Sequence, residues 1–124
     1  MRTVDYQELK EIIKNYVDSS LITSPLLISF DRNEGGSVLH IIKELFGASN
    51  FYKIGDVYDN PRSDIPYCLY EMLQVDENTI SILKRCVSIS QSIHRPVFCV
   101  IANNYINKLP EGIISPDYIF SYKE

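Results

Sequence analysis

The sequence predicts an α/β protein with three layers, helix–sheet–helix, around a mostly parallel sheet of about five strands. Strand-like and helix-like stretches alternate along the chain, the pattern of parallel strands joined by crossover helices. Residues 96–102, Pro-Val-Phe-Cys-Val-Ile-Ala, are apolar without alternation, as in a strand buried on both faces. Three other stretches carry apolar residues at helical spacing.

Taken in order, Asp5 followed by Glu8 reads as a helix N-cap with an acid three residues on. Leu9, Ile12, Ile13, Tyr16 and Val17 then share one face. Ser19-Ser20 and Thr23-Ser24-Pro25 end that helix, and Leu26–Phe30 reads as a strand. Asp31–Gly36 is expected to be a loop and Ser37–Phe46 a helix, with Val38, Ile41, Ile42 and Leu45 inward and Gly47 as its stop. Phe51–Ile54 is a short strand, and the Asp-, Asn- and Pro-rich stretch Gly55–Asp64 is loop. Ile65–Tyr70 is a strand with Pro66 near its start. Asp76 caps a third helix with Glu77 in its first turn and Ile80, Leu83 and Val87 on its apolar side. Ser88–Arg95 reads as its exit. After the strand at 96–102, Asn103-Asn104 is a stop, and Tyr118–Tyr122 is the last strand. Without repeats, linkers or low-complexity tracts, residues 1–124 read as a single domain.

Composition narrows the function classes. Of the residues, 45% are hydrophobic and 23% charged, the balance of an ordinary globular domain. A net charge of -4 argues against direct nucleic-acid binding, which needs clustered Lys and Arg against phosphate. Cys68, Cys86 and Cys99 lie in apolar segments with no C-x-x-C pair, so neither a zinc site nor a redox motif is indicated. They read as buried free thiols of a reducing compartment. No apolar signal core or bilayer-length run is present, and a cytoplasmic location with no membrane contact is expected. His40 and His94 belong to no ligand or nucleophile motif, and Asp56, Asp59 and Asp64 match no calcium-loop spacing. No metal, cofactor or catalytic residue is expected.

The most informative spot is Gly35-Gly36-Ser37. A strand, a glycine loop and a helix form the setting of a phosphate-binding loop. The motif needs Gly, four residues, Gly, Lys, then Ser or Thr, whereas residues 30–37 read Phe-Asp-Arg-Asn-Glu-Gly-Gly-Ser. Phe30 replaces the first glycine and Gly36 the lysine, and only Gly35 and Ser37 match. Gly35, Gly36 and Ser37 thus read as a vestigial phosphate loop, or as a plain turn before a helix. Ser37 and the helix N-terminus leave a weak anion site open.

Residues 98–122, FCVIANNYINKLPEGIISPDYIFSY, resemble the sensor-1 strand and following segment of clamp-loader ATPases, a branch of the AAA+ group within the P-loop NTPases. Asn104 falls at the sensor position, Lys108-Leu109-Pro110 at the middle element and Ile113-Ile114-Ser115 at the start of the family's Ser-Arg-Cys turn. Pro25–Ser29 resembles the strand entering the phosphate loop, Tyr67–Glu71 the Walker B strand, and Asp76–Lys84 the helix after it. The resemblance implies that the strand of residues 26–30 lies centrally, beside that of residues 97–102.

Three departures stand out against that family. Gly36 replaces the phosphate-loop lysine, Tyr70 the Walker B aspartate, leaving Glu71 alone, and Pro116 the arginine that reaches a neighbour's nucleotide. These positions supply the phosphate cradle, the metal ligand and the arginine finger of phosphoryl transfer. The resemblance therefore implies a degenerate, inactive scaffold domain of the polymerase III delta-prime kind, lacking lid and collar. Its partners would be proteins, clamp-loader or replisome subunits. Asn104 positions a water or caps a strand end, and Glu71 is a general base, or else a helix cap or a surface charge. Two other readings of the same residues stand beside it. One is a small nucleotide- or anion-binding enzyme on a flavodoxin-like or Rossmann-like sheet, with Gly35-Gly36-Ser37 at its binding edge. The other is a phage or mobile-element protein imitating a replication domain.

Overall fold

Aspartates start two of the helices. Asp5 Oδ1 accepts from the Glu8 backbone N–H at 2.9 Å while Glu8 Oε1 accepts from the Asp5 N–H, a reciprocal cap that begins α1 (Tyr6–Val17). Asp76 and Thr79 exchange the same pair of bonds at the start of α3 (Glu77–Ile93), and those bonds hold the Asp76 carboxyl below its ordinary pKa. Between and beyond these helices, a computed structural model describing residues 2–124 places β1 (Arg2–Val4), β2 (Leu26–Phe30), α2 (Gly35–Phe46), β3 (Phe51–Lys53), β4 (Tyr67–Met72), β5 (Val97–Ala102), α4 (Asn103–Ile106) and β6 (Ile119–Tyr122).

The strands form one sheet in the order β1-β6-β2-β5-β4-β3, and every pairing is parallel. The expected α/β class and parallel sheet are present, with six strands instead of about five. The additional one is β1, whose Arg2, Thr3 and Val4 pair with Phe120, Ser121 and Tyr122. Strand β2 is central, with β5 on one side and β6 on the other.

Side-chain alternation splits the interior in two. Leu26, Ile28, Leu69, Phe98, Val100 and Tyr122 of the sheet pack against α1 and α2. Leu27, Cys68, Tyr70, Met72, Cys99 and Ile101 pack against α3 and against Ile114 of the segment that leads to β6. The sheet is therefore the middle of three layers. Buried Tyr16 of α1 ties its layer to the sheet: its hydroxyl donates to Ser24 O at 2.6 Å and accepts from the Val97 N–H at 3.0 Å. All three cysteines are buried free thiols, and burial pushes the Cys68 thiol up to about 11.

Several boundaries differ from the sequence reading. Residues 88–93 continue α3 instead of leaving it, because Ile89 and Ser90 face the core. The helix ends at His94, which adopts the left-handed conformation (φ 54°) and bonds through Nδ1 to Ile22 O at 2.7 Å. Strand β4 runs two residues past Tyr70, so Glu71 and Met72 lie within it. Tyr118 belongs to a 3-10 turn before β6. Gly47 ends α2 as expected, at φ 86°.

Candidate functional site

In an open parallel sheet, ligands sit beyond the carboxyl ends of the strands, where the connections diverge to opposite sides. Here that point is the end of β2, between β5 and β6. Gly35-Gly36-Ser37, expected as a vestigial phosphate loop, Asn104, expected at a sensor position, and residues 122–124 all lie at this edge.

The expected glycine loop is absent. Residues 32–34 form a 3-10 turn that runs straight into α2, and Gly35 and Gly36 are its first two residues. Gly35 has φ -58° and ψ -45°, so it is not there for conformational freedom. It is there for space: a Cβ at Gly35 would stand 2.6 Å from Phe30 Cε2. The ring of Phe30, at the motif's first glycine position, thus lies against the start of α2. A Cβ at Gly36 would meet no atom within 4 Å. Gly36→Ala should therefore stabilise the fold by about 0.5–1 kcal/mol through helix propensity. Gly35→Ala should give no gain or a net loss, because the Phe30 ring must move. Urea midpoints of the two variants check this contrast.

A carboxylate stands at the start of α2. Glu34 is the N-cap residue of α2 and makes no side-chain capping bond. Its Oε1 accepts from the Glu124 backbone N–H at 3.2 Å, and its Oε2 is enclosed without a hydrogen-bond partner. A carboxylate beside a helix N-terminus takes the favourable place an incoming anion would use. Ser37 lines a shallow depression with Tyr6, Gly36, His40, Tyr122 and Glu124, and neither lysine nor arginine contributes to it. His40 Nε2 is 3.0 Å from Glu44 Oε2, one turn along α2.

Tyr70, at the expected metal-ligand position, is buried on the α3 side of the sheet and its hydroxyl lies 3.4 Å from Thr79 O, as donor. Burial raises the pKa of this hydroxyl, so it is a neutral phenol at physiological pH. Glu71 is half-buried in mid-strand, with Oε2 3.7 Å from Lys53 Nζ of the neighbouring β3. It does not cap a helix. Among the described residues, no group of three or more His, Cys, Asp or Glu side chains is placed to hold a metal ion. Asp59 instead accepts from the backbone N–H of Asp56, and Asp64 pairs with Arg62. Pro116, at the arginine-finger position, begins the 3-10 turn before β6.

Asn104 is exposed in the first turn of α4. Its neighbour Asn103 ties the edge together. Asn103 Oδ1 accepts from Ser29 Oγ of β2 at 2.6 Å and from Ser121 Oγ of β6 at 3.3 Å. One amide thus links three adjacent strands where the sheet opens. The sequence signal was present: Ser29 and Ser121 are polar residues inside otherwise apolar strands, and in register they face each other. Pairing of Ser29 with Ile101 puts residue 103 one pleat further on the same side.

The structure therefore gathers Gly35, Ser37 and Asn104 at neighbouring strand ends, and keeps Tyr70 and Glu71 one strand away on β4. Among the described residues no helix is long and apolar enough to cross a membrane. No protein-family model, curated protein or solved structure matches the chain.

Proposed function

We propose that this chain is a catalytically inactive, AAA+-like domain acting as an interaction subunit of a DNA-replication clamp loader or a related cytoplasmic assembly. The strand order is the observation that carries the reading. Strand β2 lies centrally beside β5, the adjacency that the resemblance to the P-loop class requires. The state of the three departed positions supports inactivity. The phosphate-loop segment is helical and fronted by Glu34, Tyr70 is a buried phenol, and Pro116 offers no cation. Function then rests on surface contacts with other proteins.

Two experiments test this. The Gly36→Lys protein should show no ATP hydrolysis above background in a phosphate-release assay, because the added lysine brings neither an open loop nor a metal ligand. Turnover in that single variant would overturn the reading of inactivity. The tagged chain should co-purify with clamp-loader subunits from its own cell. Clean absence from that complex would remove the proposed assembly. A small anion-binding enzyme, by contrast, would be stabilised by nucleotides or phosphate esters in thermal denaturation, and no such stabilisation is expected here.

A further inference from the structure

The α3 side of the sheet holds a second feature, remote from the phosphate-loop position. The segment from α4 to β6 crosses this face as a strap and leaves a half-open cavity of about 520 Å³ beneath it. Leu27 of β2, Leu83 of α3 and Ile119 of β6 contribute to its lining, together with Leu109 of the strap. Gly35, Gly36 and Ser37 take no part in it.

Each end of the strap folds into a turn of its own. Lys108 N–H donates to Tyr105 O at 2.9 Å, and Tyr118 N–H to Ser115 O at 2.9 Å. Pro110 and Pro116 fix two of its backbone torsions, Gly112 turns at φ 84°, and Ile114 is buried in the core. Buried Ile114 anchors the strap over the cavity. Its volume falls within the range of about 300–1,000 Å³ found for small-molecule sites. An apolar recess of this size kept open to water carries an unfavourable hydration cost that an apolar occupant relieves. The polar residues of the lining decide the class of that occupant. Glu111 is the one charged residue among them and Asn107 the one neutral polar side chain. An acid at the wall disfavours carboxylates and phosphates and favours cations and hydrogen-bond donors.

We propose that this cavity binds a small molecule with an apolar body and a cationic or neutral hydrogen-bond-donating head, the head being received by Glu111. This site is independent of the scaffold reading and does not need it.

Methyl NMR titrations of the whole chain with octylammonium, octanol and octanoate test it. Octylammonium and octanol should move the methyl resonances of Leu27, Leu83 and Leu109 saturably. An exposed ion pair changes affinity by up to about fivefold, so octylammonium should bind tightest, octanol next and octanoate weakest. Glu111→Gln should bring the three within about twofold of one another. Leu109→Trp should fill the recess and weaken all three. If that variant does not fold, Glu111→Gln at its exposed position carries the test alone. The proposal is overturned if none of the three saturates these methyls, or if shifts occur only at exposed Leu21 and Leu73. It is also overturned if octanoate binds as tightly as octylammonium, or if Glu111→Gln leaves the ratios of their affinities unchanged.

Discussion

Tyr70→Asp, which supplies the carboxylate a metal-binding strand would carry, should destabilise the domain by at least about 4 kcal/mol at neutral pH. Tyr70 is 4% exposed and packs in the cluster formed by Ile82, Leu83 and Cys86 of α3. The substitution removes a buried aromatic ring and leaves a carboxylate in its place. In that setting the folded-state pKa of the new acid is raised above its unfolded value of about 3.9. A group raised in this way is best tolerated when protonated. The deficit relative to the parent chain should therefore be smallest near and below pH 4, and should grow as pH rises toward 7. Urea denaturation at both ends of that range measures it. Tyr70→Phe is the control: it loses only the hydroxyl bond to Thr79 O and should cost about 1 kcal/mol or less. A small, pH-independent deficit for Tyr70→Asp would show that the position is open to water and able to host a ligand to an ion. Because small domains are stable by only about 5–15 kcal/mol, the expected loss consumes much of the margin. The route back to a metal site at this strand thus runs through unfolding.

Phe98→Ala should cost about 3–5 kcal/mol, with no pH dependence of its own. The Phe98 ring is fully buried and joins three elements. It meets Tyr16 of α1 edge-on at 5.5 Å, Phe46 of α2 at 6.4 Å and Phe51 of β3 at 5.9 Å. These aromatic pairs add about 0.5–1.5 kcal/mol each beyond area burial. The loss should appear in the urea midpoint with an unchanged slope, because the compactness of the native state is not at issue. Phe98→Leu keeps most of the volume and should lose clearly less. Equal losses for the two would mean that ring geometry, not cavity formation, dominates here.

The three long helices were legible because local chemistry writes them, whereas the single turn of α4 at Asn103–Ile106 was read only as the end of a strand. Asp5 with Glu8, and Asp76 with Glu77 in the turn after it, announce their own N-termini, and Gly47 announces an end. Strand β5 was legible because a strand buried on both faces has no polar residue to obscure it. What failed to show were features decided by distant residues. Arg2-Thr3-Val4 has no strand signature; β6 makes it a strand. Gly35-Gly36 reads as a loop because glycine disfavours helix, yet both lie in one, where a Cβ at Gly35 would displace the Phe30 ring. Of two adjacent asparagines, the register of Ser29 and Ser121 selects Asn103, and register cannot be read from one strand alone. The cavity under the strap has no local signature either, being the space left between α3, β2 and residues 106–116.

The placement of β6 between β1 and β2 has a consequence for how the protein is made. A ribosome releases β1 and β2 first, and these two strands never become neighbours. The slot between them stays empty until residues 119–122 emerge, and only then does Lys123 N–H reach Val4 O, at 3.0 Å in the finished fold. Until then the nascent chain offers one bare edge of its central strand to the cell. Residues 2–4 are thus made well before the strand that locks them in place. Ribosome-stalled chains ending before Ile119 should leave residues 2–4 open to proteolysis, and chains long enough to free β6 from the exit tunnel should protect them.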